Sequence, residues 1–527
     1  MPVRFTAYGG AGEIGGNKLL LEDGDWQVLL DFGMSFGALG AYFEEFLRPR
    51  TVRGLSDYLL TGLVPPLDGL YRDDLNSLSE HGQIWDRLRG HPGYRHDVNP
   101  RAVLLSHAHA DHVGYVSLLR PDIPIVAGGL TAVIAKAMQD GGQSTDDNQT
   151  VFLRPRVARD GLLVTDSRTP FHQRPWALPA GAHWSPDAAA YWTHRYTKSG
   201  PEPITSPITT GVSEIDGHQV RAFPVDHSIP GAHGFAVETS AGWIGYTGDI
   251  RMHGRHADQT WAFAHALAEL DLVALICEGT QAARPRGASE AQVRARAVDR
   301  VGHTRGLVVA DFGPRNIERL VSFLDAARHA NRQLVVLMKD ALVLRAMHTV
   351  DPATPLPSPL GGPLIYDDRR ATSTAWQDEM TEEFADALVP PSAVRANPGG
   401  YVLCLSFFDI TRLLDLGALA SGAWVYSSSE PYDEESQLDM QRLRNWMNLL
   451  GLDFLGGDSE SEAEAAGFHA SGHASGPDLQ RFIEIVNPRT LIPIHLQAEG
   501  LDFYHRTFGN TAIRVAEPGW GRAVTIE

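Results

Sequence analysis

A short apolar segment that ends in a cluster of metal-binding side chains is the strongest constraint in this sequence. Residues 101–106 (RAVLLS) lead into HAHADHVG, which places His107, His109, Asp111 and His112 within six positions. Neutral imidazoles and carboxylates are good ligands for zinc and similar divalent ions. Four ligands exceed what one open catalytic ion needs, so the cluster predicts a strand-end loop that serves two metal ions. A solvated histidine-rich loop is the alternative.

Three further strand ends offer the additional ligands that two ions would need. His227 follows an alternating apolar segment, Asp249 ends WIGYTGDI, and His495 ends LIPIHL. Each alone could be a buried structural histidine or a turn-forming aspartate. Together with the first cluster, they predict a two-metal site built from several strand termini.

Composition limits the class of protein. The chain has 527 residues, 43% hydrophobic and 21% charged, as expected for a globular protein of several domains. It has no run of 18 apolar residues and no secretory signal, so neither a membrane span nor export is expected. Cys277 and Cys404 are too few for a disulfide framework and fit a reducing cytoplasm. The net charge of −19 excludes general whole-surface binding of nucleic acid, but it allows a local basic channel.

The pattern of the first 205 residues predicts a hairpin and two insertions. NKLLLEDGDWQVLLDFG is typical of a β-hairpin with its turn at residues 22–25, so GGAGEIG is not followed by the helix that a dinucleotide-binding loop requires. Residues 38–100 form one predicted insertion, with helices over AYFEEFLRPR (41–50) and SLSEHGQIWDRL (77–88). Residues 145–205 form the other. Its Trp176, Trp184 and Trp192 could stack on bases, but a small local core is the preferred interpretation.

The second half of the chain has the alternation of an α/β domain. Between residues 289 and 350, helical and strand patterns follow one another, which predicts a parallel sheet. A strand (421–429) and a helix (433–451) come next, and the chain closes with a helix (477–487) and a strand (489–496).

Six short motifs, in order along the chain, together resemble one known family. They are GGAGEIGGN, SHAHADHVG, HSIPGAHGF with YTGDI, CEGTQAARP, HASGHAS and PIHLQAE. The sequence resembles the metallo-β-lactamase superfamily, and within it the β-CASP nucleases of the ribonuclease J type. The resemblance implies an αββα sandwich with an inserted β-CASP α/β domain. The core would comprise residues 1–280 and 466–527, the β-CASP domain residues 281–465, and the active site the cleft between them.

The resemblance also implies a function and a ligand set. The expected activity is metal-dependent hydrolysis of RNA, with single-stranded DNA as an alternative substrate. Two divalent ions would be bound, zinc in the first place and manganese as the alternative. One ion would be held by His107, His109 and His227, and the other by Asp111, His112 and His495, with Asp249 between them.

Further residues are assigned roles by the same resemblance. His473 would lie near the scissile phosphate as a general acid oriented by Glu278, with Asp111 also at the reacting centre. The alternatives are that Glu278 is a structural glutamate and that HASGHAS, which contains His473, is a helix-capping segment. Asp31 would brace a ligand histidine. His469 and Ser471 resemble positions that contact phosphate in the family. Independently of the resemblance, Arg284, Arg286 and Arg315 follow predicted strand ends and are candidates for contacts with the nucleic-acid backbone, with ordinary surface arginines as the alternative.

The sequence also departs from the family pattern. Gly231 stands where an acidic residue is usual, and Leu-Gln-Ala-Glu follows His495 where Gly-Glu is usual. The sequence ends at Glu527 without the usual C-terminal domain, which leaves a homodimer open, and the insertions leave exonuclease or endonuclease action open. Histidine at position 495 favours RNA over DNA by analogy.

Two other classes of function were weighed. The first is a hydrolase of a small ester, lactone or thioester, and the β-CASP motifs argue against it because small substrates need no second domain over the cleft. The second is a scaffold with an inactive site, and the complete ligand set argues against it.

Overall fold

A computed structural model gives the fold. It describes residues 2–44, 46–76, 82–142, 145–198, 200–313, 315–368, 372–428, 434–456 and 466–527. The sequence DSESEAEAAG (458–467) predicts an acidic loop, and its residues 458–465 fall outside these ranges, as do residues 77–81 at the start of the helix predicted over 77–88.

The first sheet is built around the predicted hairpin. Strands β2 (Lys18–Asp23) and β3 (Trp26–Phe32) pair antiparallel around Gly24 directly after the glycine-rich turn, which confirms the predicted hairpin. Neighbouring side chains of β3 point into different cores, as a pleated strand buried on both faces requires. Within the described residues the sheet has eight strands, in the order β11 (Thr209–Val212), β10 (Trp176–Pro179), β5 (Ile125–Val126), β4 (Val103–Leu104), β3 (Trp26–Phe32), β2 (Lys18–Asp23), β1 (Val3–Ala7) and β26 (Ala523–Ile526).

The second sheet faces the first. Its strands β15 (Gly242–Tyr246), β16 (Ala274–Glu278) and β24 (Thr490–Ile494) run parallel, so their carboxyl ends meet at one edge. In the described part of the chain its order is β12 (Glu214–Ile215), β13 (His218–Pro224), β14 (His233–Thr239), β15 (Gly242–Tyr246), β16 (Ala274–Glu278), β24 (Thr490–Ile494) and β25 (Arg514–Val515).

Helices cover the outer faces of both sheets. Apolar side chains of the two sheets, such as Leu30 and Phe235, share the core between them. Phe263 and Phe482 pack on the outside of the second sheet, and Tyr58 and Trp192 on the outside of the first. These layers confirm the predicted αββα sandwich. Its helices are α1 (Phe36–Gly40), α2 (Ser56–Leu60), α3 (Gly82–Leu88), α4 (Ala110–Val113), α5 (Gly129–Gly141), α6 (Pro186–Thr193), α7 (Ala257–Ala268), and, near the end of the chain, α14 (Gly476–Val486) and α15 (Ala498–Phe508).

The third sheet is an all-parallel α/β unit, as the alternation of residues 289–350 predicts. Its described strands lie in the order β20 (Leu388–Val389), β19 (Leu364–Tyr366), β18 (Gln333–Val336), β21 (Tyr401–Cys404), β17 (Val308–Asp311), β22 (Gly422–Tyr426) and β23 (Leu452–Leu455). Its helices are α8 (Glu290–His303), α9 (Ile317–His329), α10 (Met338–His348), α11 (Ala375–Glu383), α12 (Pro391–Ala396) and α13 (Glu434–Leu450). Strands β19–β21 lacked a clear pattern and were not predicted.

The two predicted insertions differ from expectation in detail. The helix predicted over residues 41–50 is wrong, because 41–44 and 46–50 form turns and irregular structure. Phe46 is 86% exposed and so has no core to pack on, and Pro49 disfavours helix before it. In the second insertion, β10 joins the first sheet, and Trp176 and Trp192 are fully buried, which confirms the local-core interpretation for these two. The segment also forms small ladders of β6 (Phe152–Leu153) with β9 (His172–Gln173) and of β7 (Arg156–Arg159) with β8 (Leu162–Thr165).

One hydrophobic core joins the sandwich to the α/β unit. Val133 and Ala137 of α5 and Tyr191 of α6 belong to the same cluster of buried residues as Leu342 and Ala346 of α10. The second insertion therefore lies against both domains. In the part of the chain that the structure describes, no helix combines the length and the apolar character that a membrane crossing would need.

Candidate metal centre

The histidine loop is placed by a very close approach of two backbones. The loop follows β4, and α4 begins at Ala110. A Cβ atom on Gly33 would lie 1.7 Å from the carbonyl oxygen of Asp111. The amide of Asn17 donates to that same oxygen at 3.0 Å. Gly33 thus lets the end of β3 support the loop directly.

Three histidines come together on one side of the site. Nδ1 of His109 lies 3.0 Å from Nε2 of His107 and 3.1 Å from Nε2 of His227. Burial holds the pKa of all three well below the usual value, so they are neutral at physiological pH, which is the form that binds metals. Nitrogens bound to one tetrahedral zinc at about 2.0–2.1 Å would be about 3.3 Å apart, so this spacing fits a metal ion.

Four other side chains form a second group beside the first. His112 Nε2 lies 3.2 Å from Oδ2 of Asp249, and His495 Nε2 lies 3.2 Å from Oδ2 of Asp111. Burial opposes the charged forms of both aspartates, but the neighbouring histidines outweigh it and keep both pKa values low. These four residues also lie close enough together to hold one ion.

Asp249 connects the two groups. Its Oδ2 is 3.6 Å from His107 Nε2 and 3.7 Å from His227 Nε2, in addition to its contact with His112. Its Oδ1 is buried and has no hydrogen-bond partner among the described residues, and the same holds for His112 Nε2. Such buried, unpaired polar atoms are costly unless a ligand satisfies them. The donor set therefore fits divalent cations.

A layer of hydrogen bonds fixes the histidine tautomers. Asp31 accepts from Nδ1 of His112 at 2.7 Å, and from both the amide and the hydroxyl of Ser106 at 2.7 Å. Asp31 has φ 59°, a left-handed conformation that turns its carboxylate back toward the site. On the other side, Nδ1 of His495 donates to Thr280 Oγ1 at 2.7 Å. Both Nε2 atoms are therefore left for the metal site.

His473 and Glu278 form a pair at the edge of the metal cluster. Glu278 ends β16, and its carboxylate accepts from the amides of Ile250 at 2.9 Å and Thr280 at 3.2 Å. Its Oε2 lies 3.0 Å from Nδ1 of His473. Burial disfavours the charged imidazole, but the carboxylates of Glu278 and Asp249 outweigh it and raise the pKa of His473 to about 9.

Some of the predicted phosphate-binding residues lie near the metal cluster and others lie away from it. Ser471 Oγ accepts from the amide of His473 at 3.1 Å and so shapes the turn that presents it. Burial lowers the pKa of His469 to about 4, so His469 is neutral, and its Nδ1 has no hydrogen-bond partner in the described chain. Arg315 lies at the metal cluster, where it interacts electrostatically with Asp111 and His109.

The two other arginines lie outside the cluster. Arg284 is exposed, and its carbonyl accepts from the amide of Gly476 where α14 begins. Arg286 forms an ion pair with Asp478 at 2.8 Å.

Several residues of the site were missed by sequence reasoning. Ser106, Thr280 and Tyr246, whose hydroxyl donates to Asp31, hold the ligands without carrying a motif of their own. Ser106 stands directly beside His107, Thr280 lies within the CEGT motif, and Tyr246 opens the YTGDI motif, so adjacency could have suggested all three.

Comparisons with known proteins agree with this geometry. Residues 462–501 match a family described as the Zn-dependent metallo-hydrolase RNA specificity domain. The chain is 24% identical over 376 residues to Ribonuclease J of Corynebacterium glutamicum, covering 69% of this chain and 38% of that protein. It is 23% identical to Ribonuclease J of Thermus thermophilus and to that of Mycolicibacterium smegmatis, covering 94% of this chain and 68% of each relative.

A solved structure shares the fold. A protein of unknown function from Enterococcus faecalis V583 matches with a TM-score of 0.65 and 18% identity, covering 100% of both chains. Three observations agree with the family that the sequence motifs resemble. They are the matched metallo-hydrolase domain, the relatives, and the four-layer sandwich with its α/β insert. The chain is similar over most of its length to proteins named Ribonuclease J, and it contains a match to the Zn-dependent metallo-hydrolase RNA specificity domain.

Proposed function

We propose that this protein is a metal-dependent ribonuclease that hydrolyses phosphodiester bonds in the cleft between the sandwich and the α/β unit. The observation that carries the proposal is the continuous cluster of seven ligand residues with the His473–Glu278 pair at its edge. The matched RNA specificity domain and the relatives named Ribonuclease J support RNA as the substrate.

Two divalent ions are part of the proposal. His107, His109 and His227 would hold one, and Asp111, His112 and His495 the other, with Asp249 between them. Zinc suits this set of imidazoles and carboxylates, and manganese is the alternative. When bound, the two ions would activate a water molecule for attack and offset the negative charge of the scissile phosphate. Asp31 and Thr280 keep Nε2 of His112 and His495 turned toward the ions.

His473 would supply the proton that the leaving oxygen needs. The carboxylate of Glu278 favours the protonated imidazole of His473, and Nδ1–H donates to Glu278, so that Nε2–H would face the substrate. Glu278 is itself fixed by two backbone amides, so the imidazole is held in one orientation. Arg315 would contact a phosphate of the RNA near Asp111, and Ser471, His469 and Arg284 are proposed as further substrate contacts.

The setting of the enzyme is also part of the proposal. Cys277 and Cys404 are buried free thiols, which suits a reducing cytoplasm. The same ligand chemistry would accept single-stranded DNA. A homodimer, and the choice between exonuclease and endonuclease action, stay predictions that sedimentation and product analysis would test.

The test uses 5′-labelled single-stranded RNA and DNA with zinc, manganese or chelator. We expect the wild type to cleave RNA only with metal, Asp111→Ala to lose both metal and activity, and His473→Ala to lose activity while keeping metal. His303→Ala, at an exposed histidine of α8, is the matched control and should behave as wild type. If wild-type protein with two bound ions leaves RNA intact, the proposal is wrong, and small esters become the substrates to test.

A further inference from the structure

The second insertion contains a cavity that the proposed reaction does not use. It has a volume of about 240 Å³ and is lined by Arg154, Phe171 and Arg195, together with Pro201 and Pro203. Both guanidinium groups lie over the ring of Phe171, with Cζ 4.3 Å from the ring centre for Arg154 and 3.5 Å for Arg195. Two cations are thus held beside one aromatic ring at the wall of one cavity.

Neither guanidinium forms an ion pair with a carboxylate of the described residues. Among the residues that the structure describes, no Asp or Glu oxygen lies within ion-pair distance of either guanidinium. Two other arginines of the same insertion do have partners: Arg156 pairs with Asp146 at 2.8 Å, and Arg168 pairs with Asp166 at 2.8 Å.

The acidic group that interacts with Arg195 is already engaged. Asp140 accepts from Lys136 at 2.5 Å, while Arg195 donates only to the carbonyl oxygen of Tyr196 at 3.3 Å in the described chain. Nε of Arg154 is buried without any hydrogen-bond partner among the described residues. Donor capacity is therefore left over on both side chains.

This arrangement differs from that of the buried Arg251. The chain has a net charge of −19, so carboxylates were available to neutralise these arginines. The charge of the buried Arg251 is neutralised by carboxylates, because Arg251 forms ion pairs with Asp226, Glu290 and Glu318. Two like charges close together repel each other and favour an anion between them.

Size and shape narrow the choice of anion. Small-molecule sites occupy roughly 300–1,000 Å³, so this cavity suits a compact group rather than a whole nucleotide. Guanidinium forks match the paired oxygens of a phosphate with parallel hydrogen bonds. Because guanidinium groups cover Phe171, the cavity is suited to an anion rather than to a stacked base.

We propose that the Arg154–Phe171–Arg195 cavity is a phosphate-binding site separate from the metal centre. The phosphate could belong to a free phosphate compound or to the backbone of a bound RNA strand, and the chemistry of recognition is the same in both cases. The proposal concerns binding alone and does not depend on the hydrolytic activity proposed above.

The test measures binding in chelator, so that no hydrolysis takes place. Calorimetry with pyrophosphate probes the free compound, and fluorescence anisotropy of single-stranded RNA across a salt series probes the backbone. The variants are Arg154→Gln/Arg195→Gln and, as matched control, Arg168→Gln, an exposed arginine of the same insertion. Thermal unfolding checks that each variant folds.

Two results would support the site, and they distinguish a free phosphate compound from the RNA backbone as the ligand. Saturable pyrophosphate binding by wild type, weakened about 10-fold or more in the double variant, would identify free phosphate compounds. Weaker RNA binding by the double variant, with a salt slope reduced by about 0.7 for each lost contact and no pyrophosphate binding, would identify the backbone.

Either of two results would overturn the proposal. The first is wild type that binds neither ligand, and the second is a double variant that binds each ligand of the wild type as tightly as Arg168→Gln does. If the double variant does not fold, Arg195→Lys replaces it in the test. This variant keeps the charge but removes the planar guanidinium, so we expect it to bind the ligand of the wild type more weakly. Unchanged binding in that variant would also count against the site.

Discussion

Nδ1 of His112 donates to the carboxylate of Asp31 across 2.7 Å, and both side chains are completely buried. Asp31 sits at the end of β3, whereas His112 sits in α4, so a single hydrogen bond ties the first sheet to the metal-binding loop. The three carboxylates around His112 explain its electrostatics. Burial alone would lower the pKa of His112, but Asp249, Asp111 and Asp31 raise it well above the usual value. A cation at Nε2 satisfies the same carboxylates that would otherwise hold a proton there.

Asp31→Asn tests this tie. Asparagine tolerates the left-handed backbone of residue 31 but cannot accept as a carboxylate does. We expect metal affinity to fall about 10–100-fold, measured by competition with a chromophoric chelator. Asp25→Asn, in the exposed turn of the same hairpin, should leave the affinity unchanged. Equal affinities for all three proteins would show that Asp31 does not support the ligand.

Gly33→Ala tests the close backbone approach. The added Cβ would collide with the backbone of Asp111 and His112, so the loop must move. We expect loss of at least one bound metal ion, measured by mass spectrometry of the native protein, and a lower melting temperature. Gly37→Ala in α1 meets no atom within 4 Å and provides the control. Full metal content in Gly33→Ala would contradict this account of the loop.

Glu278→Gln separates orientation from metal binding. The amide cannot anchor Nδ1–H of His473 as the carboxylate does, so kcat should fall roughly 100-fold while the metal content stays that of wild type. Steady-state cleavage of RNA together with metal analysis provides the measurement. Glu278→Asp keeps the charge and should recover part of the rate. If Glu278→Gln instead loses metal, the glutamate belongs to the ligand set.

The α/β unit carries a pH dependence of its own. Burial raises the pKa of Asp340 to about 7, and its carboxylate accepts from the amide of Leu337. An unfolded aspartate has a pKa of about 3.9. Between these values the folded state holds a proton that the unfolded state lacks, so stability falls as pH rises through this window.

Asp340→Asn should remove that dependence. In the wild type, the unfolding free energy measured in urea should decrease from pH 5 to pH 8. In Asp340→Asn we expect this decrease to be smaller by up to about 3 kcal/mol. Asp453→Asn changes an exposed carboxylate on β23, at the edge of the same sheet, and should not alter the loss. Parallel pH profiles for Asp340→Asn and wild type would rule out a buried protonated aspartate at this position.

The sequence was most informative where chemistry and strand ends coincide. All seven proposed ligands stand at or near the ends of strands, and parallel neighbours such as β16 and β24 bring these ends to one edge. What could not be predicted depends on contacts between distant residues. Tyr246 reaches Asp31 only because the two sheets face each other, and β10 joins its sheet only through its pairing with β5. Arg154 and Arg195 meet at Phe171 without any local pattern that links them.

The interface of α5 and α6 with the α/β unit, which we call the seam, limits how the two domains can move relative to each other. Ser185 donates to the carbonyl of Thr349 at 2.6 Å, and Arg345 donates to the hydroxyl of Tyr196 at 3.1 Å, over a shared apolar core. Domains joined by a large hydrophobic interface do not hinge freely. An RNA strand would therefore reach the metal ions by threading along the cleft, without the two domains swinging apart at this seam.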